Sequence, residues 1–128
     1  MAYFTALRAA IASTTILFLN TSAWAADKPS GGEAAFNNAC RTCHSWKAGD
    51  NRLGPNLNGI VGRKSGSAEG YSYSPTMKSA GMTWDEASLD KFITNPDSVV
   101  PDNKMKPYTG VSDAAVRKSI IEFLKTAK

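Results

Sequence analysis

"NNACRTCHSW", residues 37–46, decides how the rest of this 128-residue chain is to be read. It holds Cys40, Cys43 and His44, and the chain has no other cysteine and no other histidine. A tetrahedral zinc site needs a fourth protein ligand, and no second pair of Cys or His exists to supply it. A thioredoxin-type redox pair expects a βαβ setting, which the flanking pattern does not offer. A Cys–His nucleophile draws its base from elsewhere in the sequence, not from the next residue. A structural disulfide across two intervening residues would close a very small loop and remove little unfolded-state entropy.

One reading survives: Cys-Arg-Thr-Cys-His is the attachment pattern of a c-type haem. Two thiols add to the two vinyl groups on one porphyrin edge, and the following imidazole swings under the iron. On a helix Cys40 and Cys43 share a face, and His44 lies one turn beyond Cys40. With His44 as the fifth ligand, the sixth position falls to Met77, Met82, Met105, a lysine, or nothing. Methionine is more often core filler than ligand, which suits Met77 and Met82. Met105 sits between Pro101 and Pro107, where no helix runs, so its thioether is held on a loop able to reach across a cleft. His/Met ligation saturates the iron and raises its potential, which suits electron transfer over oxygen chemistry.

Outward from the motif, residues 1–25 read as a signal peptide: Arg8, a short apolar run "AAIASTTILFL", then "AWA" with small Ala23 and Ala25. The run is too short for a membrane span, and an uncleaved N-terminal anchor is the minor alternative. Residues 26–128 form one domain, placed in the periplasm by that signal. Setting Arg8 aside leaves 14 basic and 11 acidic residues, a mild +3 without the basic clusters of a nucleic-acid binder.

Gly32, Phe36, Ala39, Cys40 and Cys43 recur at helical spacing, so a first helix is expected to run through the motif. "TWDEASLDKFITNP" signals another, with Thr83 and Glu86 as a capping box and Leu89, Phe92 and Ile93 as its stripe. Val116, Ile120, Phe123 and Leu124 mark the last, with Ser112 as N-cap. No alternating run predicts a strand. The expected class is therefore all-α: three main helices and long loops, "LGPNLNG", "GRKSGSAEG" and "VVPDNKMKPYTG", wrapped around one haem that serves as the missing apolar core.

The chain resembles the class I cytochromes c, small soluble proteins of bacterial periplasms and mitochondria. The likeness runs over residues 32–126 and rests on "CRTCH", "RLGPNLNGIVGRKSG", "YSYS", "GMTW", "NP" and "PDNKM" in family order. It implies a haem c attached through Cys40 and Cys43, with iron ligands His44 and Met105. It implies that the Pro55 carbonyl accepts from the imidazole and that Arg63, Tyr73 and Trp84 bury and hydrogen-bond a haem propionate. Gly32 with Phe36 and Ile120 with Phe123 resemble the crossing of the first and last helices. The implied function is electron transport, as in a respiratory chain, by a monomer serving redox protein partners, with no small-molecule substrate.

Departures from the family pattern are also visible. Phe92 stands where many relatives carry a tyrosine that reaches the methionine sulfur. Ala39 and Asp97 occupy positions often basic elsewhere, leaving Arg52, Lys104 and Lys106 as a thinned basic rim. The competing reading is a haem sensor or peroxidase-like enzyme with an open iron. It lacks a distal acid–base group, because the single histidine is already spent.

Overall fold

The computed structural model describes residues 31–128. The expected signal peptide, and the domain boundary at Ala26, lie outside the described residues. Five helices follow in order: α1 (Gly31–Ala39), α2 (Pro75–Ser79), α3 (Glu86–Thr94), α4 (Pro96–Val99) and α5 (Ala114–Thr126). The three long ones are those the sequence periodicity predicts. The short α2 and α4 were not expected; each opens on a proline, whose fixed φ suits the first helical turn.

The frame is the crossing of α1 with α5. A Cβ placed on Gly32 would stand 2.7 Å from the Ser119 carbonyl oxygen and 2.9 Å from the Phe123 Cβ, so only a hydrogen fits there. That close approach lets Phe36 and Ile120 bury completely, with the Phe36 and Phe123 rings 5.5 Å apart. Burying such side chains contributes roughly 1.5–3 kcal/mol each. The third long helix joins through its Leu89, Phe92 and Ile93 face. Arg117 of α5 reaches it with Nε 2.7 Å from the Asp90 carboxylate and donates from Nη1 to Val111 O and Ser112 O.

Two expected caps are corrected. The α3 cap is Asp85, not Thr83: its carboxylate accepts from Ser88 N–H while the Ser88 hydroxyl accepts from Asp85 N–H, so the reciprocal pair is Asp85–Ser88 rather than Thr83–Glu86. Thr83 is instead held in an antiparallel bridge with Lys64, the only β pairing among the described residues. The α5 cap is Asp113, not Ser112, with its carboxylate accepting from Ala115 and Val116 N–H. In both cases the adjacent aspartate carries a full negative charge to the positive end of the helix, which a hydroxyl does not.

Candidate functional site

The first helix hands the chain to the motif. It ends at Ala39 rather than continuing through Cys43 as expected. Cys40 and Arg41 N–H both donate to Phe36 O, at 2.8 and 3.2 Å, and Cys43 N–H reaches back only three residues to Cys40 O. The ladder tightens into a turn, yet His44 N–H still donates to Cys40 O at 2.9 Å. The thiols and the imidazole thus keep a near-helical relation at the end of a rigid element.

His44 is buried, and its Nδ1 lies 2.7 Å from Pro55 O. A carbonyl only accepts, so Nδ1 carries the proton and Nε2 keeps its lone pair. Burial lowers the imidazole's pKa, the Pro55 contact opposes that, and the Arg63 charge lowers it further. The net shift is downward, which keeps the ring neutral and ready to donate to a metal.

Cys40 and Cys43 are both free thiols. Burial, with Cys43 adding, pushes Cys40 up to about 12, so it stays protonated. Two tyrosines lie within electrostatic reach of them. Tyr71 donates to Leu53 O at 3.0 Å, and burial, with smaller contributions from Tyr73 and Cys43, raises its phenol. Tyr108 donates to Ile93 O at 2.8 Å; burial, with a contribution from Cys40, pushes its phenol up to about 12.

On a second side the chain pairs residues 62–65 with 82–84: Trp84 N–H donates to Arg63 O, Gly62 N–H to Trp84 O, and Ser65 N–H to Met82 O. Alternation about the Lys64–Thr83 bridge puts Arg63, Ser65, Met82 and Trp84 on one face. Trp84 is buried against Phe92, with ring centroids 4.9 Å apart. Tyr73 stacks edge-on with Tyr71 at 4.8 Å, accepts from Ala68 N–H, and is near enough to Arg63 to raise its pKa against the lowering by burial. Of the sequence-expected trio, Arg63 and Trp84 are paired through their backbones, and Tyr73 lies within electrostatic reach of Arg63.

This cluster tests whether a haem fits. The Arg63 Nη atoms donate to Asn56 O at 2.7 Å and Asn58 O at 3.0 Å, but no carboxylate pairs with the guanidinium among the described residues. Arg63 Nε and the Ser65 hydroxyl are buried without any partner. Such groups are costly unless an acceptor reaches them, and for a buried cation that acceptor should be an anion. A propionate supplies both. Together with two unpaired thiols and a neutral buried imidazole, the donor set fits a covalently attached haem. No group of three or more His, Cys, Asp or Glu able to hold a metal ion exists among the described residues, which leaves a bare protein-ligated metal without a site.

The three candidate methionines separate. Met77 lies in α2 as part of the buried core, while Met82 and Met105 are partly buried against it. Met105 lies on the stretch between α4 and α5. Lys104 Nζ ties that stretch to Ser72 O at 3.0 Å, beside Tyr73, and the Tyr108 hydroxyl ties it to Ile93 O of α3 at 2.8 Å. Met105 thus sits between two tethers, one to Ser72 beside Tyr73 and one to α3. Of the basic rim, Arg52 pairs with Asp50 at 3.0 Å and Lys106 with Asp97.

Sequence reasoning missed Gly54, Asn56, Ser65 and Asn103. Gly54 and Asn56 flank Pro55 in the quoted "GPNL", so a signal existed for them. Ser65 and Asn103 lie inside the quoted "GRKSG" and "PDNKM", but only their burial and partners give them a role.

Comparison with known proteins follows this geometry. The cytochrome c family model matches residues 30–128. A cytochrome c2 iso-1 from Magnetospirillum molischianum is 45% identical over 95 residues, covering 73% of this chain and 94% of that one. A cytochrome c2 from Rhodomicrobium vannielii is 43% identical over 114 residues, covering 86% and 87%. Among solved structures, cytochrome cH from Methylobacterium extorquens superposes with a TM-score of 0.68 at 41% identity, over 75% of this chain and 95% of that one.

Proposed function

The chain belongs to the class I cytochrome c family, and from that premise we propose that it is a periplasmic one-electron shuttle whose haem iron is held between His44 and Met105. Its class is that of a monohaem electron carrier with haem c attached through Cys40 and Cys43, working with redox partners and not as an enzyme. The bound haem supplies a one-electron iron couple; the protein fixes its potential and its surroundings.

The observation that carries the ligand reading is the orientation of His44: protonated at Nδ1 toward Pro55 O, neutral by burial, and one residue after two unpaired thiols. Nε2 is the atom left to bind iron, and the proline carbonyl raises its basicity. Met105 is the fitting sixth ligand because its stretch is held on both sides, by Lys104 to Ser72 O and by Tyr108 to Ile93 O, while Met77 is occupied as core. Arg63, Tyr73 and Trp84 are the propionate partners, supported by the unmatched Arg63 cation and its unpartnered Nε. Export is supported by residues 1–25, and no helix of the described residues is long and apolar enough to cross a membrane. An absorption spectrum with and without carbon monoxide tests the reading. A six-coordinate iron with a sulfur-to-iron charge-transfer band and no carbon monoxide adduct is expected. A ready adduct in the native protein would move the assignment to a sensor or enzyme with an open site.

A further inference from the structure

The stretch that carries Met105 is organised by two side chains, Asn103 and Asp97, to which the sequence reading gave no role. Asn103 is buried at 5% exposure, and every polar atom of its carboxamide is used. Its Oδ1 accepts from Met105 N–H at 2.9 Å, and its Nδ2 donates to Val100 O at 2.9 Å and to Asp97 Oδ1 at 2.8 Å. The other Asp97 oxygen accepts from Lys106 Nζ, one residue beyond Met105. Lys106 N–H also donates to Lys104 O at 2.9 Å, closing a three-residue turn with Met105 at its centre. The backbone of Met105 is thus held from its own N–H and from both neighbours, and the bonds converge on Asp97, at the start of α4.

We propose that Asn103 and Asp97 are positioning residues for the sixth ligand: they lock the Met105 turn and so set how readily an outside ligand replaces the thioether. This rests on Met105 being the ligand. Displacement by a small base such as imidazole requires the thioether to leave and its turn to open first. Opening then breaks the Asn103 bonds, whose replacement by water is delayed because the amide is buried. Asp97 is exposed, so its contribution is through Asn103, fixing the direction in which the amide points.

The test is imidazole binding to the oxidised holoprotein, followed by loss of the sulfur-to-iron band. Asn103→Ala should speed binding by about threefold to tenfold, the range expected for one net hydrogen bond. Asp97→Ala should act in the same direction, and Asp97→Asn, whose amide oxygen still accepts from Asn103, should restore most of the wild-type rate. Leu89→Ala, which opens the core of α3 and removes none of the Asn103 or Asp97 hydrogen bonds, should lower the unfolding midpoint without speeding imidazole binding, separating positioning from general stability. Should Asn103→Ala fail to fold, Asp97→Ala and Asp97→Asn carry the test alone, since an exposed side chain tolerates replacement. Wild-type rates in Asn103→Ala and Asp97→Ala, with Met105→Ala binding imidazole freely, would overturn the clamp and leave the ligand reading intact. Equal rates for wild type and Met105→Ala would overturn the ligand reading itself.

Discussion

Gly54 lies flat against the imidazole of His44: a Cβ built on it would stand 2.3 Å from Cε1, 2.7 Å from Nδ1 and 2.9 Å from Nε2. Its N–H donates to Cys43 O at 2.8 Å, so the approach is fixed by backbone and has no room to relax. The ring is therefore clamped between the Pro55 carbonyl at one edge and a bare Cα beside it. Gly54→Ala should push the ring aside, break the Pro55 bond and destabilise the holoprotein by about 1–3 kcal/mol or more. The potential and the visible spectrum should change together with the unfolding midpoint. An unchanged spectrum at native stability would show that the ring has slack.

Gly32→Ala should separate fold from site. The same size of overpacking applies, because the added methyl meets Ser119 O and Phe123 Cβ, and about 1–3 kcal/mol of stability should be lost. None of the side-chain hydrogen bonds that hold His44 or the Met105 turn runs through the crossing of α1 and α5, so the sulfur-to-iron band should remain. Thermal unfolding and absorption on one sample check both statements.

Cys40→Ala or Cys43→Ala leaves at most one thioether, and the yield of folded holoprotein should fall sharply. The residues alone leave Arg63 Nε and Ser65 Oγ buried without partners, which is a poor core until an acceptor fills it. Apoprotein that unfolds as cooperatively as holoprotein would contradict this account of the fold.

Met105→Ala should abolish the sulfur-to-iron band, lower the potential and admit carbon monoxide. Met77→Ala should keep the band while costing about 2–5 kcal/mol, because Met77 is buried in the core. Met82→Ala should also keep it. Loss of the band in Met77→Ala or Met82→Ala, with retention in Met105→Ala, would reverse the assignment.

Stability should fall at acid pH partly through the α3 cap. The hydrogen bonds from the Ser88 hydroxyl and backbone hold the Asp85 carboxyl below its ordinary 3.8. A depressed carboxylate contributes fully above that ordinary value, and the contribution is lost as pH falls through the lower folded value. Asp85→Asn keeps a capping side chain but removes the charge. Its difference from wild type should be present at neutral pH and vanish at strongly acid pH, as urea titrations at several pH values will show.

Association with an acidic redox partner should depend only weakly on salt. Arg52 and Lys106 already pair with Asp50 and Asp97, which cancels much of the field the rim would project. Screening over a Debye length that falls from ~10 Å at 0.1 M to ~3 Å at 1 M leaves little to remove. Stopped-flow electron transfer across that range checks it; a steep decline would mean that other cations do the steering.

The sequence by itself determined the cofactor and the helical frame. Two thiols and an imidazole in five positions admit one chemistry, and the apolar spacing of α1, α3 and α5 is a local pattern legible before any tertiary contact is known. Met105 stood out for a local reason as well, since flanking prolines forbid a helix. Where sequence reasoning slipped, neighbours one or two residues apart were competing for one role, as Asp85 against Thr83 and Asp113 against Ser112, and only the final path of the chain chose between them. The end of α1 at Ala39 belongs here too, because periodicity does not record the shared Phe36 carbonyl that tightens the turn. The rest was invisible for a deeper reason. A small polar residue such as Ser65, or an amide such as Asn103, reads as loop surface in any local window. Its meaning comes from burial and from partners far along the chain, and burial is a property of the packed fold alone.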